Sequence, residues 1–118
     1  MLSFLSKLRG GMSAAEAISK SAAGDLVVID IREPGEIAQT GYAQGALTIP
    51  ASQLSTQANP NNATCHPSLK LGKPIALYCV SGARSAMVKG RLKQMGHTEV
   101  HNIGGLGHWQ RAGGPVVW

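Results

Sequence analysis

Ile75-Ala-Leu-Tyr-Cys79 runs into Val80-Ser-Gly-Ala-Arg-Ser85 and then into a stretch that ends at Met95-Gly96. The first five residues are an unbroken apolar run, which predicts a strand buried on both faces. Gly82 interrupts it, and from about Ala83 to Met95 the apolar period changes. Val88, Leu92 and Met95 fall at i, i+4 and i+7, with Lys89 and Lys93 facing outward, as on an amphipathic helix. Gly96 is a good helix terminator. Strand, short loop and helix in this order form the repeating unit of a parallel sheet.

The flanking sequence repeats that alternation. Ser13-Ala-Ala-Glu16 has the form of a capping box and predicts a helix from about Ser13 to Ala22. Leu26 to Ile31 is a continuous, largely β-branched run with Asp30 near its end, suited to a central parallel strand. Pro34-Gly35 breaks it, and a short helix is expected from Gly35 to Gln39. Gly41 and Gly45 flank a turn before a short strand, Ala46 to Ile49, ended by Pro50. Ala51 to Ser55 is expected as a further short helix. Thr56 to Lys73, rich in Asn, Pro, Ser and Gly, reads as a long surface loop. Glu99 to Ile103 is a fourth strand, Gly104-Gly105 a turn, Leu106 to Ala112 a short helix, and Pro115 to Trp118 closes the chain. The pattern predicts an α/β fold with a small, mostly parallel central sheet and helices on both faces. In such sheets, ligands bind outside the carboxyl ends of the strands, where Cys79 would stand.

The 118 residues suffice for one compact unit, read as a single domain over 11–118 with 1–10 as an N-terminal extension. A hydrophobic share of 43% argues for a globular fold rather than disorder. The net charge is +5, but there is no run of five basic residues; Lys89, Arg91 and Lys93 are the densest group. They read as a solvated helix face, compatible with a positive field at the mouth of an anion site. Aromatics at 4% are too few for a base-stacking surface, so no nucleic-acid partner is expected. Cys65 and Cys79 form no Cys-x-x-Cys and no disulfide framework, which suggests a reducing, cytoplasmic setting. At the N-terminus the basic residues follow the apolar ones, unlike a signal peptide, and an untethered terminus is expected. No segment approaches the roughly 20 apolar residues of a spanning helix, so no stable membrane insertion is expected.

The loop carries the chemistry. A thiol just before a helix N-terminus faces backbone N–H groups that lack helical partners, and these favour thiolate over thiol. No proline lies between Val80 and Ser85, so Val80, Ser81, Gly82, Ala83, Arg84 and Ser85 all keep an N–H to donate. Gly82 can take positive φ and curl the chain inward. Ser81 and Ser85 add hydroxyls, and Arg84 adds a permanent cation. A lone cysteine at a strand end is commonly just a small buried residue. The close spacing of the glycine, the arginine, the serines and the helix start favours a catalytic nucleophile at Cys79, with Val80 to Ser85 as its anion-binding cradle.

Cys79-Val-Ser-Gly-Ala-Arg-Ser85 resembles the active-site loop of the rhodanese-like sulfurtransferases, Cys-x-x-Gly-x-Arg-Ser/Ala. Val28-Ile-Asp-Ile-Arg-Glu-Pro34 and Gly45-Ala-Leu-Thr-Ile-Pro50 resemble that family's earlier motifs. Ile103-Gly-Gly105, Trp109 and Gly114-Pro-Val116 resemble its closing one. Four segments in order cover most of the chain and point to a single-domain member. The resemblance implies sulfur transfer in two steps: Cys79 takes the outer sulfur of a small anionic donor such as thiosulfate, and cyanide or a thiol then removes it. A protein sulfur acceptor is a further option, and a sulfur carrier or interaction module without free turnover remains the alternative. Neither metal nor organic cofactor is implied. Related phosphatases and arsenate reductases place five residues between Cys and Arg; here there are four, which points to sulfur rather than phosphate.

Two departures bear on substrate. Gly41-Tyr42-Ala43 stands where many members have Gly-His-Ile, and Val80 and Ser81 are uncharged where thiosulfate users often carry cations. A dianionic donor should therefore be held less firmly. Asp30 and Arg32 match the first motif and read as supporting residues. Asp30 is expected to accept backbone hydrogen bonds near the loop, and Arg32 to pair with Glu33, Glu36 or the loop. Glu33 is expected to be exposed. Cys65 reads as an incidental thiol rather than a resolving one. His97 and His101 bracket an apparent strand, where i and i+4 do not converge, so no zinc site is expected. Gly104-Gly-Leu-Gly107 lacks a dinucleotide fingerprint and reads as a turn. Trp109 and Trp118 read as packing residues.

Overall fold

The computed structural model describes residues 11–118, so expectations for the first ten residues lie outside it. In chain order the elements are α1 (Ala14–Ala22), β1 (Val27–Asp30), α2 (Pro34–Thr40), β2 (Tyr42–Ala43), β3 (Leu47–Thr48) and α3 (Leu54–Gln57). They continue with β4 (Ile75–Cys79), α4 (Ala83–Gln94), β5 (Val100–Gly105), α5 (Leu106–Arg111) and β6 (Val116–Val117). Short 3₁₀ turns cover Ala51–Gln53 and Pro67–Lys70.

Four strands form a parallel sheet in the order β3-β1-β4-β5. The chain steps outward from β1 to β3, returns on the other side as β4, and continues to β5. The topological switch point therefore lies between β1 and β4, and the crevice outside their carboxyl ends is where such sheets bind ligands. Asp30 is in register with Tyr78, and Ile31 N–H donates to the Tyr78 carbonyl at 3.1 Å. A two-stranded antiparallel ribbon, β2 with β6, lies apart from this sheet. Neither of its two-residue strands carries a period that sequence reasoning could detect.

Alternation along the central strands divides the core in two. Ile29, Ile31, Ile75, Leu77 and Cys79 face one side with Leu54, Val88 and Leu92 from α3 and α4. Val28, Ala76 and Tyr78 face the other with Ala17, Leu106 and Trp109 from α1 and α5. Helices cover both faces, as the strand pattern requires. Alternation also assigns the Cys79 side chain to the face that α4 covers.

The segment 56–73 is not wholly a surface loop. Ala58, Cys65 and Leu69 are buried in the same cluster as Leu77 and Leu92, whereas Leu71 of the same segment stays 64% exposed. Gly104-Gly105 is no turn either; both glycines belong to β5. Trp109 packs as expected and donates through Nε1 to the Pro115 carbonyl at 2.8 Å, whereas Trp118 is 80% exposed.

Arg32 pairs with Asp30 rather than with Glu33, Glu36 or the loop. Both are buried, and Arg32 Nη2 lies 2.7 Å from Asp30 Oδ2 with Nε at 3.0 Å from Oδ1. The same guanidinium donates to Thr40 Oγ1 at 2.8 Å and the Gly41 carbonyl at 2.9 Å. Asp30 accepts one backbone N–H, from Arg32, at 3.0 Å. A single β1-terminal pair thus holds the end of α2, a helix that buries none of its own residues. Removing one partner of a buried pair strands the other charge, so Asp30→Asn should cost about 3 kcal/mol in urea unfolding. Glu99→Gln, which breaks the exposed pair with His101 at 2.8 Å, should cost well under about 1 kcal/mol.

Candidate active site

Cys79 ends β4 and is 1% exposed. Three residues on, Gly82 takes φ +100° and caps α4 without a side-chain hydrogen bond. That conformation turns the Gly82 N–H onto the sulfur, 3.1 Å from Sγ. A side chain there would be strained by the positive φ and would crowd Gly104 Cα at 3.1 Å.

Burial by itself pushes the Cys79 thiol up. The Ser85 hydroxyl and the backbone amides of Ser85, Gly82 and Arg84 outweigh it and bring the thiol down to about 7. Ser85 Oγ is fully buried and has no hydrogen-bond partner among the described residues. The acceptor it serves is the sulfur once ionised, because a thiol accepts weakly and a thiolate strongly. Gly82, Arg84 and Ser85 act on the sulfur, while Ala83 N–H turns to Ser81 Oγ at 3.4 Å and Val80 points outward, 60% exposed.

β5 buttresses this loop. Asn102 Nδ2 donates to the Gly82 carbonyl at 2.9 Å, and Asn102 Oδ1 accepts from Gly104 N–H at 3.0 Å. Between the pairs Leu77–Asn102 and Cys79–Gly105 the register shifts, because β5 spends one residue more than β4. The irregularity brings Gly105 against the Val80 carbonyl so closely that a Cβ there would lie 1.8 Å from its oxygen. Asn102 carries no motif of its own. Its one signal is an Asn within a strand, two residues before Gly104-Gly105, where strand propensity disfavours it.

Arg84 does not stand free in the loop. Nη1 and Nη2 lie 2.8 Å from Glu36 Oε1 and Oε2, a bidentate pair between α4 and α2. Glu36 Oε1 also accepts the Glu33 N–H at 3.0 Å. The Arg84 guanidinium first and the Glu33 N–H next bring the Glu36 carboxyl down to about 2. Arg84 is raised above its ordinary value, chiefly by Glu36 and further by the nearby Cys79 charge. Beside the loop a surface cleft opens between α2 and α5, with Glu36, Gln39, Val80, Leu106, Gln110 and Trp118 among its walls.

The remaining candidates lie elsewhere. Cys65 is a free thiol whose burial pushes it up, and its Sγ donates to the His66 carbonyl at 3.5 Å. His97 follows α4 and its Nε2 lies 2.7 Å from the Ala58 carbonyl, while His101 sits in β5 against Glu99. Among the described residues no group of three His, Cys, Asp or Glu converges as metal ligands would.

Comparison with known proteins places these features in a family. The profile of the Rhodanese-like domain matches residues 13–112. A sulfurtransferase from Allochromatium vinosum is 33% identical over 106 residues, covering 87% of this chain and 91% of that protein. A thiosulfate sulfurtransferase from Escherichia coli is 35% identical over 78 residues, 66% of this chain and 68% of its own. An uncharacterized Bacillus subtilis protein is 36% identical over 70% of this chain, and the chain spans 59% of its length. Among solved structures, a Rhodopseudomonas palustris protein described as a possible tyrosine phosphatase is similar at TM-score 0.78 and 34% identity, covering 91% of this chain and 83% of that one. A human single-domain sulfurtransferase is similar at TM-score 0.68 and 26% identity, covering 86% and 95%.

The geometry sets the titration of the sulfur. In a Cys65→Ala background, thiolate ultraviolet absorbance should rise with pH through a midpoint of about 7. Ser85→Ala removes a donor that favours the anion, so its midpoint should move up by roughly one pH unit. A midpoint that stays in place would show that the hydroxyl does not serve the sulfur.

Proposed function

We propose that this chain, which belongs to the rhodanese-like sulfurtransferase family, moves a sulfane sulfur from donor to acceptor by way of a persulfide on Cys79. The observation that carries the reading is a buried sulfur with a backbone N–H at 3.1 Å and a thiol brought down to about 7, with four residues between it and an arginine. Near neutral pH about half of such a sulfur is thiolate, the nucleophilic form.

With thiosulfate as donor, the Cys79 thiolate attacks the outer sulfur. The donor's S–S bond breaks, its electron pair leaves with sulfite, and a new S–S bond joins that sulfur to Cys79. The terminal persulfide sulfur then carries the negative charge, and the amides of Gly82, Arg84 and Ser85 are the donors available to hold it. Cyanide or a thiol attacks the terminal sulfur in the second step. The S–S bond breaks toward Cys79 and the thiolate returns. The cycle consumes no oxidant or reductant beyond donor and acceptor. The names of the Allochromatium and Escherichia relatives support sulfur transfer, and the latter supports thiosulfate as a first assay donor. The cysteine usage supports a reducing, cytoplasmic setting, and among the described residues no helix is long and apolar enough to cross a membrane.

A second reading, phosphate-ester hydrolysis, draws support from the description of the Rhodopseudomonas protein. The four-residue Cys-to-Arg spacing and the engagement of Arg84 by Glu36 weigh against it, since a phosphate would need that guanidinium.

Incubation with thiosulfate should add the mass of one sulfur to Cys79, and cyanide should remove it as thiocyanate. Cys79→Ser should lose at least about a thousandfold in turnover, as loss of a covalent nucleophile does. Transfer that survives in Cys79→Ser overturns the mechanism. A persulfide that forms but is never released to cyanide or small thiols identifies a carrier.

A further inference from the structure

Two arginines stand at the mouth of the Cys79 loop, and each already holds a carboxylate. Arg32 is buried against Asp30 at 2.7 Å, and Arg84 is held by both oxygens of Glu36 at 2.8 Å. These two pairs sum to zero charge. Among the described residues the rest of the adjoining cleft's lining is uncharged: Val80, Leu106 and Trp118 supply apolar surface, and Gln39, Thr40 and Gln110 supply amide and hydroxyl groups. Val80 at 60% and Trp118 at 80% exposure present that surface to solvent rather than to the core. Arg111 packs beside Gly107, itself part of this cleft's wall, but lines a different depression, with Ser13, Asn102 and His108.

We propose that this site prefers an organic hydropersulfide bearing an uncharged, partly apolar group over a dianion such as thiosulfate, and that Glu36 and Val80 set the preference. The inference rests on the sulfur-transfer reading above and names its donor class. A dianion entering the cleft must be desolvated, and to gain a cation it must displace Glu36 from Arg84. An organic hydropersulfide brings at most one negative charge, on its outer sulfur, lays its substituent on Val80, Leu106 and Trp118, and offers polar atoms to Gln39 and Gln110. The chemistry balances. The Cys79 thiolate attacks the outer sulfur of R–S–SH, the S–S bond breaks, and the electron pair leaves as the thiolate R–S⁻. The transferred S–H stays on Cys79. The leaving group carries one negative charge where thiosulfate would leave doubly charged sulfite.

The test compares three donors with cyanide as acceptor: thiosulfate, glutathione hydropersulfide and the hydropersulfide of N-acetylcysteine amide. In the unmodified protein, kcat/KM should be highest for the N-acetylcysteine amide donor, by about tenfold over thiosulfate, with the charged glutathione donor between. Glu36→Gln releases Arg84 and should shift the ratio toward thiosulfate by about tenfold, the worth of one charge-assisted hydrogen bond. Val80→Lys adds a cation on an exposed side chain without touching either pair. It should shift the ratio the same way, which keeps the test open should Glu36→Gln fold poorly. Thiosulfate as the best donor of the unmodified protein, or a ratio that neither variant moves, overturns the inference. Absence of a Cys79 persulfide with all three donors, read by mass spectrometry, instead overturns the sulfur-transfer reading.

Discussion

A sulfur that is 1% exposed must receive from the protein whatever water would have given its anion. Buried without partners, Cys79 would hold its proton far above neutral pH and be inert. The amides at the start of α4 and the Ser85 hydroxyl reverse that outcome, and much of the architecture keeps them in place. Gly82 needs positive φ to aim its N–H. Asn102 holds the Gly82 carbonyl, and the β5 irregularity lets Gly105 come under Val80. Each of these serves a donor geometry that water cannot restore in a buried site.

The charged side chains have a different task. α2 buries no residue of its own, and two arginines tie it to the domain: Arg32 through Thr40 and Gly41, Arg84 through Glu36. Both guanidiniums are thereby neutralised, Arg84 in the Cys79 loop and Arg32 at the end of β1. Attraction for anions at this mouth then comes chiefly from backbone dipoles, which are fixed in direction and spread no long-range field. The net charge of +5 belongs to the molecule, not to the cleft.

The alternation of apolar runs made the layered parallel sheet legible, because a strand buried on both faces has few other compositions. The loop around Cys79 was legible for a related reason: a cysteine, a glycine, an arginine and a helix start at fixed spacing combine only a few ways. The partners of the arginines were not. Arg32 had three carboxylates within reach along the chain, and sequence proximity favoured Glu33 and Glu36 over the residue that β1 in fact turns toward it. Cys65, Ala58 and Leu69 were hidden in a polar stretch whose composition resembles that of a solvated loop. The β2–β6 ribbon pairs residues too few and too far apart to leave a pattern.

The sequence by itself determined the order of the main-sheet strands and their helices, the place of Cys79 at a strand's carboxyl end, and the four-residue spacing to Arg84. These are local properties, written in side-chain period and in the conformational range of Gly82. Only the tertiary structure decided which donors reach the sulfur and which carboxylate takes each guanidinium. Those choices depend on how β5 and α2, distant along the chain, pack against the end of β4. Hydrogen bonds and ion pairs are decided by separations of a few tenths of an ångström that no spacing along the chain encodes.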